Sequence, residues 1–168
     1  MIPYRVEQVW RFLSRRPQAE DVAWVRWTLA PAQQALFFSQ QPGDQAHAIR
    51  VARALIAEGH HDERLIRAAL LHDVGKAPGV PMPYRIAVVL LKRLAPARLD
   101  KLSPRAAGWL APLARAHHHP KLGASLARTA RCHPDVATLI EHHQDHDAKL
   151  SGDLNALLTA LQAVDDRS

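Results

Sequence analysis

Near the middle of the chain, Leu70-Leu71-His72-Asp73-Val74-Gly75-Lys76 sets a histidine beside a carboxylate inside an otherwise apolar, helix-patterned run. Such a run belongs in a core, and burying an imidazole next to a carboxylate is costly unless the fold supplies a compensating partner. The chain must therefore bring other polar groups, or a cation shared among them, to this point. A metal ion is the partner that imidazole and carboxylate share most readily.

What surrounds the pair is helical. Apolar residues make up 48% of the 168, Ala and Leu are abundant, and runs of Val, Ile and Thr are nearly missing, which is the composition of an all-α fold. The length suits one domain with a core large enough to fold alone. Spacing predicts helices over 4–16 and 20–29, and a third opened by Pro31 that carries Leu36, Phe37 and Phe38. A fourth is expected to run to Glu58, with Asp44 as its N-cap and Gly59 as its stop. Asp62 caps the helix leading to Asp73, and Gly75 ends it. Prolines at 78, 81 and 83 call for a loop, then an apolar helix over 84–94 that Pro96 breaks. Pro104, Pro120 and Pro134 read as first-turn prolines of later helices, and the last helix spans 153–166. Trp24 and Trp27 share a helix face and read as packing residues. With no repeat or linker, 1–168 reads as one domain, in which 1–41 is an N-terminal helical segment and 44–166 the core.

Several function classes drop out. One cysteine, Cys132, leaves no internal disulfide framework and no thiolate cluster, and fits a reducing cytoplasm. The longest apolar run, 86–91, is far below the roughly 20 residues that span a bilayer, and no export segment is visible. Lys plus Arg exceed Asp plus Glu by 22 to 16, which favours anionic partners in general. Neither a basic block nor interleaved aromatics argues for a nucleic-acid track.

The chemistry falls to the 11 histidines. His47, His72-Asp73, His117 to His119, His142-His143 and Asp165-Asp166 recur at about one helix-turn-helix unit, so a bundle can gather them. His60, His61, His117, His133 and His146 read as exposed helix-end residues instead. Imidazole and carboxylate without thiolate suit iron, manganese, zinc or nickel and exclude iron–sulfur chemistry. A carboxylate such as Asp73 can bridge two ions, and two ions can activate water and clamp a phosphate oxygen.

His47-Ala-Ile-Arg-Val, Leu70-Leu71-His72-Asp73-Val74-Gly75-Lys76 and Ala163-Val164-Asp165, in that order, resemble the HD superfamily of metal-dependent phosphohydrolases. His119-Pro120-Lys121-Leu122-Gly123-Ala124 and Ile140-Glu141-His142-His143 resemble motifs of its multi-metal branch, which includes the HD-GYP phosphodiesterases and diadenosine tetraphosphate hydrolases. No Gly-Tyr-Pro follows His143. The resemblance covers about 44–166 and implies an HD-domain helical bundle with added N-terminal helices. It implies a first divalent transition metal on His47, His72, Asp73 and Asp165, and a second on Asp73, His119, His142 and His143. Iron or manganese is expected before zinc or nickel. His142 and His143 compete as ligands, Asp166 stands as the alternative to Asp165, and His118 as the alternative to His119.

Lys76, three residues after Asp73, is the matching lysine that would assist a leaving group, although a helix C-terminus also favours a lysine. Arg50, one turn after His47, is a candidate phosphate contact, against the alternative of an exposed helix arginine. The expected reaction is hydrolysis of a phosphoester or phosphoanhydride of a nucleotide-like substrate by a metal-activated hydroxide. A di-iron oxygenase and a non-catalytic helical module with a structural metal are the alternatives. The N-terminal helices would either lid the site or serve a homo-oligomer.

Overall fold

The structure is a computed structural model and describes residues 16–77 and 79–168. Among these the fold is all-α, with no strand. The helices are α1 (Ala19–Thr28), α2 (Pro31–Phe38), α3 (Pro42–Ala57), α4 (Glu63–Leu71), α5 (Met82–Leu94), α6 (Pro96–Asp100), α7 (Ala111–Thr129), α8 (Pro134–His142) and α9 (Leu154–Asp165). Tight 3-10 turns at Val74–Lys76 and Gly108–Leu110 follow α4 and precede α7. The helix expected over 4–16 lies outside the described residues.

Proline sets many of the starts. Pro31, Pro42, Pro96 and Pro134 each occupy the first helical position, where a missing N–H costs nothing and a fixed φ is already helical. Asp62 caps α4 by accepting the Arg64 N–H at 2.8 Å. Asp44 is not the N-cap of α3: the helix starts earlier, at Pro42, which leaves Asp44 inside the first turn and buried. α3 ends at Gly59 with φ of 89°, where the His60 N–H reaches Leu55 O and the Gly59 N–H reaches Ile56 O. This left-handed closure suits glycine. α7 closes by the same pair of bonds around Arg131, at φ of 58°.

Two other proline expectations fail. Pro104 sits in a turn rather than a helix, and Pro120 lies inside α7. Trp24 is half-buried with the Arg53 guanidinium 4.0 Å above its ring, but Trp27 is exposed rather than packed.

α4 lies at the centre of the bundle, packed by α3, α8 and α9. Its Leu65, Leu70 and Leu71 are fully buried against Leu55 of α3, Leu139 and Ile140 of α8, and Leu158 and Leu161 of α9. Each such side chain contributes about 1.5–3 kcal/mol by leaving water. A smaller cluster of Val80, Val88, Leu99 and Ala116 joins α5 and α6 to α7. Among the described residues no helix is long and apolar enough to cross a membrane.

Candidate metal centre

α4 stops at Leu71, and His72 and Asp73 follow at its C-terminal end, 1% and 2% exposed. The 3-10 turn then packs backbone to backbone on α7. A Cβ on Gly75 would lie 2.0 Å from His119 O and 2.7 Å from Gly123 N, so only glycine permits this approach. Through it Asp73 Oδ1 comes to 3.3 Å from His119 Nε2.

Three buried imidazoles are oriented in the same way. His72, His119 and His143 each direct Nδ1 at the carbonyl three residues back, at 2.8 Å to Ala69, 2.8 Å to Ala116 and 2.7 Å to Ile140. Ala69 and Ile140 offer carbonyls of a last helical turn, which lack helical N–H partners. The Ala116 carbonyl is released differently: Pro120, four residues on, has no N–H to give it. With Nδ1 donating to the main chain, each Nε2 is the atom turned toward the centre, the orientation a metal-ligating histidine requires.

These Nε2 atoms meet two carboxylates. His72 Nε2 lies 3.5 Å from Asp73 Oδ2 and 3.4 Å from Asp165 Oδ1. His143 Nε2 lies 3.9 Å from Asp73 Oδ1 and 3.2 Å from His119 Nε2. His47 of α3 reaches Asp165, at the end of α9, at 2.8 Å. The potential ligand atoms form three overlapping groups, His47–His72–Asp73, His72–His143–Asp165 and Asp73–His119–His143, each within 4.8 Å. His72 Nε2 and Asp73 Oδ1 are buried and make no hydrogen bond. Leaving such atoms unsatisfied costs about 1–3 kcal/mol each, and a cation coordinated by both atoms would remove that cost.

The electrostatics point the same way. Burial disfavours the Asp73 charge, but Lys76, whose Nζ is 2.7 Å from Oδ2, and then His72 hold its carboxyl well below the usual range. Burial likewise opposes ionisation of Asp165, and the nearby His72 charge, followed by the hydrogen bond with His47, reverses this, leaving it depressed. On His72 burial is outweighed by Asp73 and Asp165, which raise it to about 9. His119 is lowered by burial and then by Lys76, and His143 by burial and then by His72 and His119. The cluster thus pairs ionised carboxylates with neutral imidazoles on the α7 and α8 side.

Of the sequence candidates, His47, His72, Asp73, His119, His143 and Asp165 come together, with Lys76 against Asp73. His142 does not join them. As the last residue of α8 it is turned about 100° from its neighbour, is partly exposed, and lies 3.7 Å from Asp145. His118 points its Nε2 to Leu102 O instead, and Asp166 is exposed, 3.8 Å from His146. Arg50 is half-buried on α3 rather than exposed.

Two features were not read from the sequence. Arg85 of α5 holds buried Asp44 with two parallel bonds of 2.8 Å and gives its Nε to Val80 O. The only sequence signal was an arginine within an apolar helix. The second feature is a groove of about 740 Å³ whose lining includes His118 and His142, the neighbours of His119 and His143. Compared with protein-family models, with curated proteins and with solved structures, the chain gives no match.

Proposed function

We propose that the chain is a metal-dependent phosphohydrolase of the HD type, holding two divalent transition ions, iron or manganese in preference to zinc or nickel. The observation that carries this reading is the sharing of Asp73 between two ligand groups, one with His47 and His72 and the other with His119 and His143. Asp165, against both His47 and His72, completes the first. The donors are imidazole and carboxylate only, which suits those metals. Such ions, when bound, lower the pKa of water and offset the charge that develops on a phosphoryl group.

The chain's own groups have defined tasks. The main-chain carbonyls of Ala69, Ala116 and Ile140 fix the rings. Lys76 holds one oxygen of Asp73 and supplies positive charge where a phosphoryl oxygen would arrive, and its ammonium can give a proton to the leaving oxygen. The lone thiol, Cys132, accords with a reducing cytoplasm.

Elemental analysis of the purified protein, with hydrolysis of phosphoesters and nucleoside polyphosphates, tests this. Two ions per chain are expected, falling to one in His119→Ala. Asp73→Ala is expected to lose both metal and turnover, and Lys76→Ala to keep the metal while turnover drops about 10²-fold. Full turnover in Asp73→Ala, or turnover that depends on dioxygen and reduced iron, overturns the hydrolase. Metal without turnover on any phosphoester leaves a structural site.

A further inference from the structure

α5 carries an apolar face that nothing among the described residues covers. At about 100° per residue, Tyr84, Val88 and Leu91 share the side of the helix that joins the cluster of Leu99 and Ala116. Ile86, Val89, Leu90 and Leu94 fall on the opposite side and are 54%, 66%, 52% and 78% exposed. Single exposed apolar residues are ordinary, but four on one helix face form a patch of the kind that marks an interaction surface.

The charges around that face have one sign. α5 holds Arg85, Lys92 and Arg93 and no acid, and Arg98, Lys101 and Arg105 follow on α6 and the turn after it, with Asp100 the one acid over 82–105. Asp100 lies 3.5 Å from His117 of α7. Arg93 falls within the apolar face itself. Arg93, Arg98, Lys101 and Arg105 are exposed, and none of them meets a carboxylate among the described residues.

That sign decides the occupant. In a two-fold pair of copies, α5 meeting α5 would set Lys92 and Arg93 against their own kind. Residues 1–15 carry Arg5, Arg11 and Arg15 against Glu7 and would add to the repulsion. Nucleic acid would answer the charge but gains nothing from Ile, Val and Leu, because its bases stack on aromatic and guanidinium planes. Protein hot spots favour Trp, Tyr and Arg over Leu and Val. An anionic lipid leaflet takes both parts, accepting aliphatic side chains beneath a layer of phosphate. Lying on such a surface needs no membrane-spanning helix.

We propose that α5 lies in the surface of an anionic lipid bilayer, with Ile86, Val89, Leu90 and Leu94 at the acyl boundary and Arg93, Arg98, Lys101 and Arg105 toward the phosphate headgroups. Arg93 reaches the headgroups along its own aliphatic stem. None of the metal-centre residues lies on α5, so this association does not depend on the metal reading.

Flotation of the full chain with vesicles of phosphatidylcholine and phosphatidylglycerol in equal parts, and separately with phosphatidylcholine alone, tests this. Binding is expected to the mixed vesicles, at least about tenfold weaker to the neutral ones, and falling as salt is added. The double variant Val89→Gln, Leu90→Gln is expected to lower partitioning at least about tenfold, with circular dichroism and the metal-to-protein ratio unchanged. Reversal of Arg93, Lys101 and Arg105 to Glu is expected to lower it about a hundredfold, at roughly fivefold per charge. No flotation with either vesicle, equal flotation with both, or flotation indifferent to the Gln pair overturns the proposal. So does oligonucleotide binding that follows the three charges and ignores the Gln pair while vesicles are left unbound. A light-scattering mass that halves in the Gln pair, without vesicle binding by the parent chain, assigns the face to a second copy and overturns the lipid surface.

Discussion

The proton on His72 decides how the cluster responds to pH. Its raised value of about 9 arises because Asp73 and Asp165 outweigh burial. In the metal-free chain a histidine raised in the folded state adds stability that is complete below its unfolded value near 6.5, and this is lost as pH climbs through about 9. A metal reverses the dependence, because it needs the Nε2 lone pair that the proton occupies. Manganese affinity is therefore expected to rise by about tenfold per pH unit up to that value, while urea melts of the metal-free protein show falling stability over the same window. A flat affinity between pH 6 and 9 would show that His72 is no ligand. Gly75 gives a second test at this scale: Gly75→Ala forces a Cβ onto His119 O, and a loss of about 1–3 kcal/mol is expected from overpacking, with the ion on the His119 side lost first. The His72-Asp73 juxtaposition was legible because a polar pair interrupts an apolar run. Which of His142 and His143 turns inward was not, since that depends on where α8 ends.

Two helices carry devices that spacing alone does not reveal. Pro120 read as a helix start because proline is commonest there, yet it lies within α7 and releases the Ala116 carbonyl to His119 Nδ1. Pro120→Ala should raise the melting temperature, since proline in a helix interior is about 3 kcal/mol less favourable than alanine. It should also weaken the His119-side ion by about tenfold, because the restored N–H competes for the carbonyl that orients the ring. A melting temperature that rises with metal affinity unchanged would show that the carbonyl serves only the helix. α5 is fixed to α3 by Arg85 on Asp44, whose side chain is 4% exposed. Arg85→Ala should cost about 3–5 kcal/mol in urea denaturation by stranding a buried carboxylate, and Asp44→Asn in the same chain should recover much of it. The helices themselves were largely legible from apolar spacing, Asp62 and the prolines at 31 and 134, whereas the start of α3 at Pro42 was misplaced to Asp44. The end of α7 was not, because Arg131 rather than glycine takes the left-handed position there.

At the scale of the whole molecule, the cluster joins segments far apart in sequence: His47 on α3, the turn after α4, His119 on α7, His143 after α8, and Asp165 on α9. α9 is attached by Leu158, Leu161 and Val164 in the core, by Gln162 to His142 O and Asp145 O, and by Asp165 to His47. Arg167, just beyond it, pairs with Glu58. Of these only Asp165 gains a new partner when ions are present, so α9 should be the helix whose stability depends most on metal. Each ion present at a hundredfold excess over its dissociation constant adds about 2.7 kcal/mol to the folded state, and for a chain of this size that shifts melting by about 5–10 °C. Chelation of both ions is expected to lower the melting temperature by about twice that amount, and hydrogen exchange should locate the largest gain in amide opening in Leu154–Asp165. In Asp165→Ala the chelator should change little in this helix while still lowering protection around His119 and His143, because the second group shares Asp73 and not Asp165. Exchange rates in α9 that ignore chelation would mean that the first ligand group does not close on Asp165, and would leave His47 and His72 without the carboxylate of α9.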